Sequence, residues 1–236
     1  MKTTLIYGDS LSSGRYGIAY TAYLPVQKEI HGIDGDNLGG IMARAISRIR
    51  RGNLTAGTVV IQGGANDILL PYVSRSDASW RLATTKLGTL SHTPIDDVNR
   101  FISRFSKQLN ELVEHIKNSN ILICSITVLG ERLDSTLNQT RNMFNAAMKE
   151  VTLEYGARWC DVSTPLEHII RQNQSSGYLV PTLSSLEEDT MYVGSDELRS
   201  SLLSESRNLV VTVDGIHPNL LGAKTIAETL TVHLHW

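Results

Sequence analysis

Residues 7–14 read Tyr7-Gly8-Asp9-Ser10-Leu11-Ser12-Ser13-Gly14, and they join a β-prone stretch to a tight turn. The residues from Thr3 to Tyr7 are β-branched, aliphatic or aromatic and predict a strand, which the following Gly and Ser residues end. A serine on a turn at the end of a buried strand is where an α/β fold presents a nucleophile. A helix-capping or loop serine fits the same residues, so the role of Ser10 depends on the rest of the chain.

Strand-like and helix-like segments alternate after this turn. Residues 58–62 form the clearest predicted strand, and their continuous apolar character suits a parallel strand that is buried on both faces. Apolar residues at helical spacing predict long helices over 95–117 and 137–155. The other predicted strands are 28–33, 120–126 and 157–162. This alternation implies βαβ units with right-handed crossovers, and therefore a parallel sheet.

No internal repeat, low-complexity tract or linker interrupts the sequence, so residues 1–236 are predicted to form one domain. Within it, residues 18–28 predict a short helix that is broken at Pro25. Residues 209–213 resemble either a strand or an extended lead-in to the motif that follows them.

Two long segments, 68–94 and 163–209, are predicted to leave the carboxyl edge of the sheet and to roof the residues that follow the strands. They are long for simple connections, and short helical patterns occur in both. Their aromatic residues include Trp80 and Tyr178. We interpret these aromatics either as a substrate-binding wall or as a satellite core under loops.

Charge and composition exclude several classes of protein. The 22 basic and 24 acidic residues give a net charge of −2, which favours neither nucleic acid nor an anionic membrane surface. No run approaches the roughly 18 apolar residues of a membrane span. The two cysteines predict buried free thiols, or a bridge between neighbouring strands. No signal peptide is visible, so we expect a cytoplasmic protein unless it is exported by other means; the oligomeric state is not indicated.

Ser10, Gly35 and Asn66 each follow a predicted strand, so they are expected to share the carboxyl edge of the sheet. A serine needs an adjacent base to act as a nucleophile. His217 is the candidate base, because Asp214 lies three residues before it and can orient the imidazole. An Asp-x-x-His pair on a surface turn is the alternative interpretation.

Acyl transfer also requires hydrogen-bond donors for an oxyanion. The candidates are the backbone N–H groups of Ser10 and Gly35 and the side-chain amide of Asn66. A simple turn glycine and an Asn in an Asx-turn or a helix cap are the alternatives.

Four blocks of the sequence together resemble those of the SGNH hydrolases, also called the GDSL esterase/lipase family. They are Gly8-Asp9-Ser10-Leu11-Ser12, the glycine of Asp34-Gly35-Asp36, Gly64-Ala65-Asn66-Asp67 and Asp214-Gly215-Ile216-His217-Pro218. The resemblance implies a flavodoxin-like three-layer α/β/α sandwich with a five-stranded parallel sheet. It also implies a catalytic triad of Ser10, Asp214 and His217, with Ser10, Gly35 and Asn66 as oxyanion donors.

The sequence departs from the family pattern in two blocks. Asp34 stands where serine is common, and Ala65 replaces a frequent second glycine. Gly39 and Gly40 follow in the same polar stretch and are rival candidates for the role of Gly35.

The resemblance implies a serine ester hydrolase that acts through an acyl-enzyme on a small-molecule ester, without a metal or cofactor. A small or short-acyl ester is the favoured substrate, and a carbohydrate acetyl ester is included in that class. A thioesterase or lysophospholipase of the same family is one alternative, and a non-catalytic binding module on the same fold is another. A flavin-binding protein is disfavoured, because Asp9 would repel a phosphate bound after the first strand.

Overall fold

Five strands form one parallel sheet in the part of the chain that the structure, a computed structural model, describes: residues 3–51, 56–90, 93–116 and 120–234. The strands are β1 (Thr3–Gly8), β2 (Lys28–Gly32), β3 (Ala56–Ile61), β4 (Asn120–Cys124) and β5 (Arg158–Cys160). Strands β1, β3 and β4 pair on both sides, which matches their rich content of aliphatic and β-branched residues. The order β2-β1-β3-β4-β5 confirms the predicted flavodoxin-like sheet.

Helices fill most of the connections between the strands. In the described ranges they are α1 (Ser10–Ser13), α2 (Leu38–Arg50), α3 (Ala65–Ser76), α4 (Ala78–Leu90), α5 (Val98–His115), α6 (Thr136–Glu154), α7 (Ser163–Arg171), α8 (Leu183–Val193), α9 (Glu197–Ser206) and α10 (Leu220–Leu234). Helices α2, α5 and α6 pack on one face of the sheet, and α7 and α10 pack on the other, which gives the predicted three layers. None of the helices in these ranges is both long and apolar enough to cross a membrane.

The strands supply both cores, because successive side chains of a strand point to opposite faces. Leu5 and Val59 lie in the core under α2, α5 and α6. Their neighbours Ile6 and Val60 lie in the core under α7 and α10, together with the two cysteines. The cysteines occupy opposite positions of β4 and β5, and both are buried free thiols.

Two predicted helices differ in the structure. Residues 18–28 contain only a 3₁₀ turn at Tyr20–Tyr23 before β2 begins at Lys28, because Leu24 precedes a proline and is extended (φ −78°, ψ 121°).

Of the two interpretations of residues 209–213, the structure favours the lead-in to the motif. These residues form no strand, and a single bridge joins Thr212 to Pro218.

Helix α5 starts at Val98, three residues later than predicted. Asp97 caps the helix by accepting the N–H of Arg100, which fixes the start. The predicted end of this helix, Lys117, lies outside the described residues.

The segments 68–94 and 163–209 are mostly helical and contain α3, α4, α7, α8 and α9; Ser91 and His92 lie outside the described residues. The sequence pattern does not predict helix α3, because the helix contains Pro71 and proline normally breaks a helix. Helix α8 is missed because Met191 and Tyr192 are exposed and obscure its apolar stripe.

Candidate active site

Ser10 is placed by the tight exit from β1. Asp9 caps α1 by accepting the N–H of Leu11 on Oδ1 at 3.0 Å, and Ser10 is the first residue of that helix. Gly8 is required at the end of the strand, since a Cβ there would lie 2.1 Å from Ser12 Oγ. Gly14 closes α1 in the left-handed conformation (φ 72°), so the turn holds Ser10 at the carboxyl edge of the sheet.

Ser10, His217 and Asp214 form a hydrogen-bonded chain. Ser10 Oγ lies 3.0 Å from His217 Nε2, and His217 Nδ1 lies 2.6 Å from Asp214 Oδ2. The other oxygen of Asp214 accepts the backbone N–H groups of Ile216 and His217 at 2.8 and 2.7 Å. All three side chains are buried, so the chain of bonds is shielded from bulk water.

The pKa values of His217 and Asp214 are set by their opposite charges, which act against the effect of burial. Burial alone would lower the pKa of His217 and raise that of Asp214. Their mutual attraction and hydrogen bond outweigh burial, so the pKa of His217 is raised and that of Asp214 is lowered. Asp9 and Asp34 add weaker attractions that also raise the pKa of His217. The pair is therefore suited to hold a proton on the imidazole while Asp214 stays ionised.

Asn66 lies in the first turn of α3 and is fixed by its neighbours. Its Nδ2 donates to the carbonyl of Asp36 at 2.9 Å, and a primary amide has a second N–H that this bond does not use. The next residue, Asp67, anchors the turn, because its buried carboxylate accepts the N–H groups of Leu38 and Ile95 and an N–H of Arg104.

Gly35 lines the cavity of Ser10, whereas its rivals Gly39 and Gly40 do not. It lines the cavity that contains Ser10 and His217, and its φ of 73° is in the left-handed region. Gly39 and Gly40 belong to the first turn of α2 and lie outside that lining, and the N–H of Gly40 is bound by Asn37. The backbone N–H groups of Ser10 and Gly35 have no backbone acceptor in the described part of the chain.

A cavity of about 360 Å³ opens above Ser10 and His217. Helices α3, α4 and α8 form its walls, so parts of both long segments do roof this edge. Trp80 is in the lining and is 95% buried. Tyr178 is not in the lining; its ring lies under Arg207, 4.5 Å from the guanidinium carbon. A larger groove of about 850 Å³ runs between β2 and α2, and Gly40 is the one candidate site residue in its lining.

The aromatic ring of Tyr16 is a neighbour of the site that the sequence did not indicate. Its centroid lies 5.0 Å from that of the His217 ring, and it lines the same cavity. Two residues later, the N–H of Ile18 donates to the carbonyl of Pro218, which joins this stretch to the histidine loop.

The histidine loop, residues 209–219, is held by a buried carboxylate that the sequence analysis also missed. Glu131 accepts the N–H groups of Val210, Val211 and Thr212 and the hydroxyl of Thr212, at 2.7–2.9 Å. A glutamate in the loop after β4 carries no local signal of this role, because its partners lie about 80 residues away.

Backbone contacts and an arginine complete this support. The N–H of Gly130 donates to the carbonyl of Gly215 at 2.6 Å, and the N–H of Val180 donates to that of Asp214 at 2.8 Å. Arg207 donates to the carbonyl of Val213 and makes a bidentate pair with Asp189 of α8. The wall helix α8 is thus linked to the loop that carries His217.

No group of three or more His, Cys, Asp or Glu residues within the described ranges is arranged to hold a metal ion. The polar groups gathered around Ser10 are a hydroxyl, an imidazole, a carboxylate and several N–H donors. These are the group types that nucleophilic acyl transfer uses.

A family model described as the GDSL-like lipase/acylhydrolase family matches residues 6–224. A comparison with curated proteins finds no match to the sequence.

Several solved structures are similar over the whole fold. An α/β hydrolase enzyme from the metagenome of Lake Arreo, Spain, is 15% identical with a TM-score of 0.61, covering 99% of this chain and 94% of that one. A catalytic mutant of an acetylxylan esterase from Geobacillus stearothermophilus is 15% identical with a TM-score of 0.58, covering 100% and 94%. A member of the lipolytic protein G-D-S-L family from Veillonella parvula is 16% identical with a TM-score of 0.58, covering 99% of both chains. At these identities, the likeness concerns the fold.

The charge balance of the histidine predicts its titration. The pKa of His217, measured by NMR, is expected above 6.5 in the wild type because Asp214 is ionised beside it. Replacing Asp214 by Asn removes that charge and keeps the burial, so the pKa of His217 should fall. Signals are assigned by their loss in His217→Ala. The same pKa in the wild type and in Asp214→Asn would contradict this electrostatic account.

The contacts of Glu131 predict a stability effect. Glu131→Ala leaves three N–H groups and one hydroxyl without their acceptor, so the free energy of unfolding in urea should fall by roughly 3–6 kcal/mol. The matched control is Glu188→Ala on the exposed side of α8, which should change it by less than about 0.5 kcal/mol. Equal effects of the two substitutions would show that Glu131 does not hold the loop.

Proposed function

Because this chain belongs to the GDSL-like lipase/acylhydrolase family, we propose that it is a serine ester hydrolase with Ser10 as its nucleophile. The observation that carries the proposal is the buried chain of hydrogen bonds from Ser10 through His217 to Asp214, at the base of a cavity. A serine hydroxyl is a weak nucleophile at its own pKa, and this contact with an imidazole supplies the base it needs.

The reaction proceeds in two acyl transfers. Ser10 Oγ attacks the ester carbonyl carbon while His217 takes the hydroxyl proton on Nε2, and Asp214 stabilises the imidazolium through Nδ1. The tetrahedral intermediate collapses to an acyl-enzyme, and the alcohol leaves with the proton from His217. A water molecule then repeats the attack with His217 as base, which releases the acid and restores Ser10.

The negative charge of each tetrahedral intermediate falls on the former carbonyl oxygen. We assign its stabilisation to the N–H groups of Ser10 and Gly35 and to the amide of Asn66. The anchoring of Asn66 by Asp36 supports this role, because donors that are fixed before the reaction cost no reorganisation when the charge develops.

The proposed substrate is a small-molecule ester with a short acyl group. The roof of α3, α4 and α8 supports this class, since a cavity of about 360 Å³ is near the lower end of ligand pockets. A carbohydrate acetyl ester belongs to the same class and is the second candidate, because one structural neighbour is an acetylxylan esterase. Trp80 is the proposed substrate-binding aromatic, because it lines the cavity. Tyr178 packs against Arg207 outside that lining, so we do not assign it a contact with the substrate.

Removal of the nucleophile tests the proposal. Ser10→Ala should lower kcat for a p-nitrophenyl ester by about 10⁴–10⁶, and His217→Ala should cost about as much because the two residues act as a unit. The exposed Ser13 of the same turn gives a matched control, and Ser13→Ala should stay within about threefold of the wild type. Esterase activity that survives in Ser10→Ala would refute the assignment.

The oxyanion role of Asn66 has its own kinetic signature. Asn66→Ala should reduce kcat by roughly 10²–10³ with KM nearly unchanged, because the lost donor acts only on the charge of the transition state. Thermal unfolding checks that the variant keeps its fold. A higher KM with unchanged kcat would show instead that Asn66 contacts the substrate equally in the ground state.

A further inference from the structure

We propose that the cavity above Ser10 is an acyl pocket that selects esters of medium-length, unbranched acyl chains, from butanoyl to octanoyl, over acetyl esters and over long fatty acyl chains. The inference rests on the proposed function and narrows its substrate class, because it makes butanoyl to octanoyl esters better substrates than acetyl esters. It places the acyl chain inside the cavity and the alcohol part of the ester at its mouth.

The inner walls of the cavity are apolar. Leu69 and Leu70 of α3, Trp80 of α4, Leu186 of α8 and Ile216 of the histidine loop line it, and each is at least 95% buried. Most of these side chains belong to the main core of the protein, so the walls are packed from behind. A wall of this kind binds hydrocarbon and gains free energy with each methylene that leaves water.

Apart from the indole N–H of Trp80, which has no hydrogen-bond partner among the described residues, the buried polar side chains of the lining lie at the reacting end. They are Asp9, Ser10, Asn66 and His217, which lie in or beside the proposed triad and oxyanion donors. Deeper in the cavity, a sugar ring would leave most of its hydroxyls without partners, and unpaired buried hydroxyls are costly. An acetyl group would place a single methyl against these walls and leave most of the apolar surface unused.

The charged side chains lie at the opening. Arg15, Lys86 and Glu187 line the cavity but are exposed to solvent, and Asp34 pairs with Arg15 there. A polar alcohol can therefore stay in water next to this mixed rim while the acyl chain enters. The charges of both signs favour a neutral or zwitterionic alcohol over a strongly charged one.

Hydrogen bonds join the two helices α4 and α8 that roof the pocket. The N–H of Leu183, at the start of α8, donates to Ser79 Oγ at the start of α4, and Asp77 in turn holds Ser79. Trp80 follows directly, so the two helices meet beside the aromatic wall. A volume of about 360 Å³ holds a medium chain, whereas a palmitoyl chain would have to leave through the opening.

The test is the acyl-length profile of the wild-type protein, measured as kcat/KM for p-nitrophenyl acetate, butanoate, hexanoate, octanoate and palmitate. From acetate to hexanoate kcat/KM should rise by up to about fourfold per methylene, and it should be lower again for palmitate. A maximum at acetate, or a flat profile, would overturn the acyl pocket while leaving the ester hydrolase in place. Absence of Ser10-dependent hydrolysis of every ester would overturn the proposed function itself.

Two neighbouring positions of α4 provide a matched pair of variants. Ala83 lines the cavity, whereas Leu82 is 60% exposed on the outer side of the helix. Ala83→Phe should lower the ratio of kcat/KM for octanoate over acetate by about tenfold or more, and Leu82→Phe should leave this ratio within about twofold. Equal ratios in both variants would contradict the pocket.

A variant that enlarges the cavity, instead of filling it, provides a second test if Ala83→Phe does not fold. Leu69→Ala enlarges the cavity, so the preferred acyl chain should become longer than in the wild type. An unchanged or shorter preferred chain in folded Leu69→Ala would also overturn the proposal.

Discussion

The active site depends on the hydrogen bonds that the rest of the protein makes to the backbone of residues 209–219, a buried segment without regular secondary structure. Residues 209–219 are largely buried, and they carry both Asp214 and His217. Buried N–H and C=O groups need partners, and this segment forms only one isolated bridge of its own, between Thr212 and Pro218. Glu131 and the elements around residues 18, 130, 180 and 207 supply many of the other partners. The geometry at His217 is therefore a property of the whole fold.

Two carboxyl groups are fully buried at this edge of the sheet, and burial destabilises the ionised form of each unless partners compensate. Asp214 has an imidazole and two N–H groups, so it remains ionised at full burial. Asp9 has a single N–H partner for Oδ1, and burial raises its pKa to about 7. Folding stability that depends on a protonated Asp9 is therefore lost as the pH rises from about 4 to about 7. The turn that presents Ser10 is thus capped by Asp9, a carboxyl group whose ionised form is destabilised by burial.

The strands and the long helices could be predicted from the sequence, because apolar runs and helical spacing are local signals. The flavodoxin-like sheet was implied by the resemblance to the GDSL family. The residues that meet around Ser10 could be named because each follows a strand or lies in a short motif. Helix α3 was hidden by Pro71, and the roles of Glu131 and Tyr16 come from contacts between distant parts of the chain. The apolar lining of the cavity was invisible for the same reason, since three separate helices build it.

The central claim is that Ser10 is the nucleophile of an ester hydrolase, and covalent labelling tests it most directly. The wild-type protein is treated with a fluorophosphonate, and intact mass and peptide mapping locate the adduct. The account predicts one adduct per chain, on Ser10, with loss of esterase activity in proportion to labelling, and no adduct at a comparable rate in His217→Ala. An adduct on another residue that abolishes activity, or full activity after complete labelling of Ser10, would contradict it.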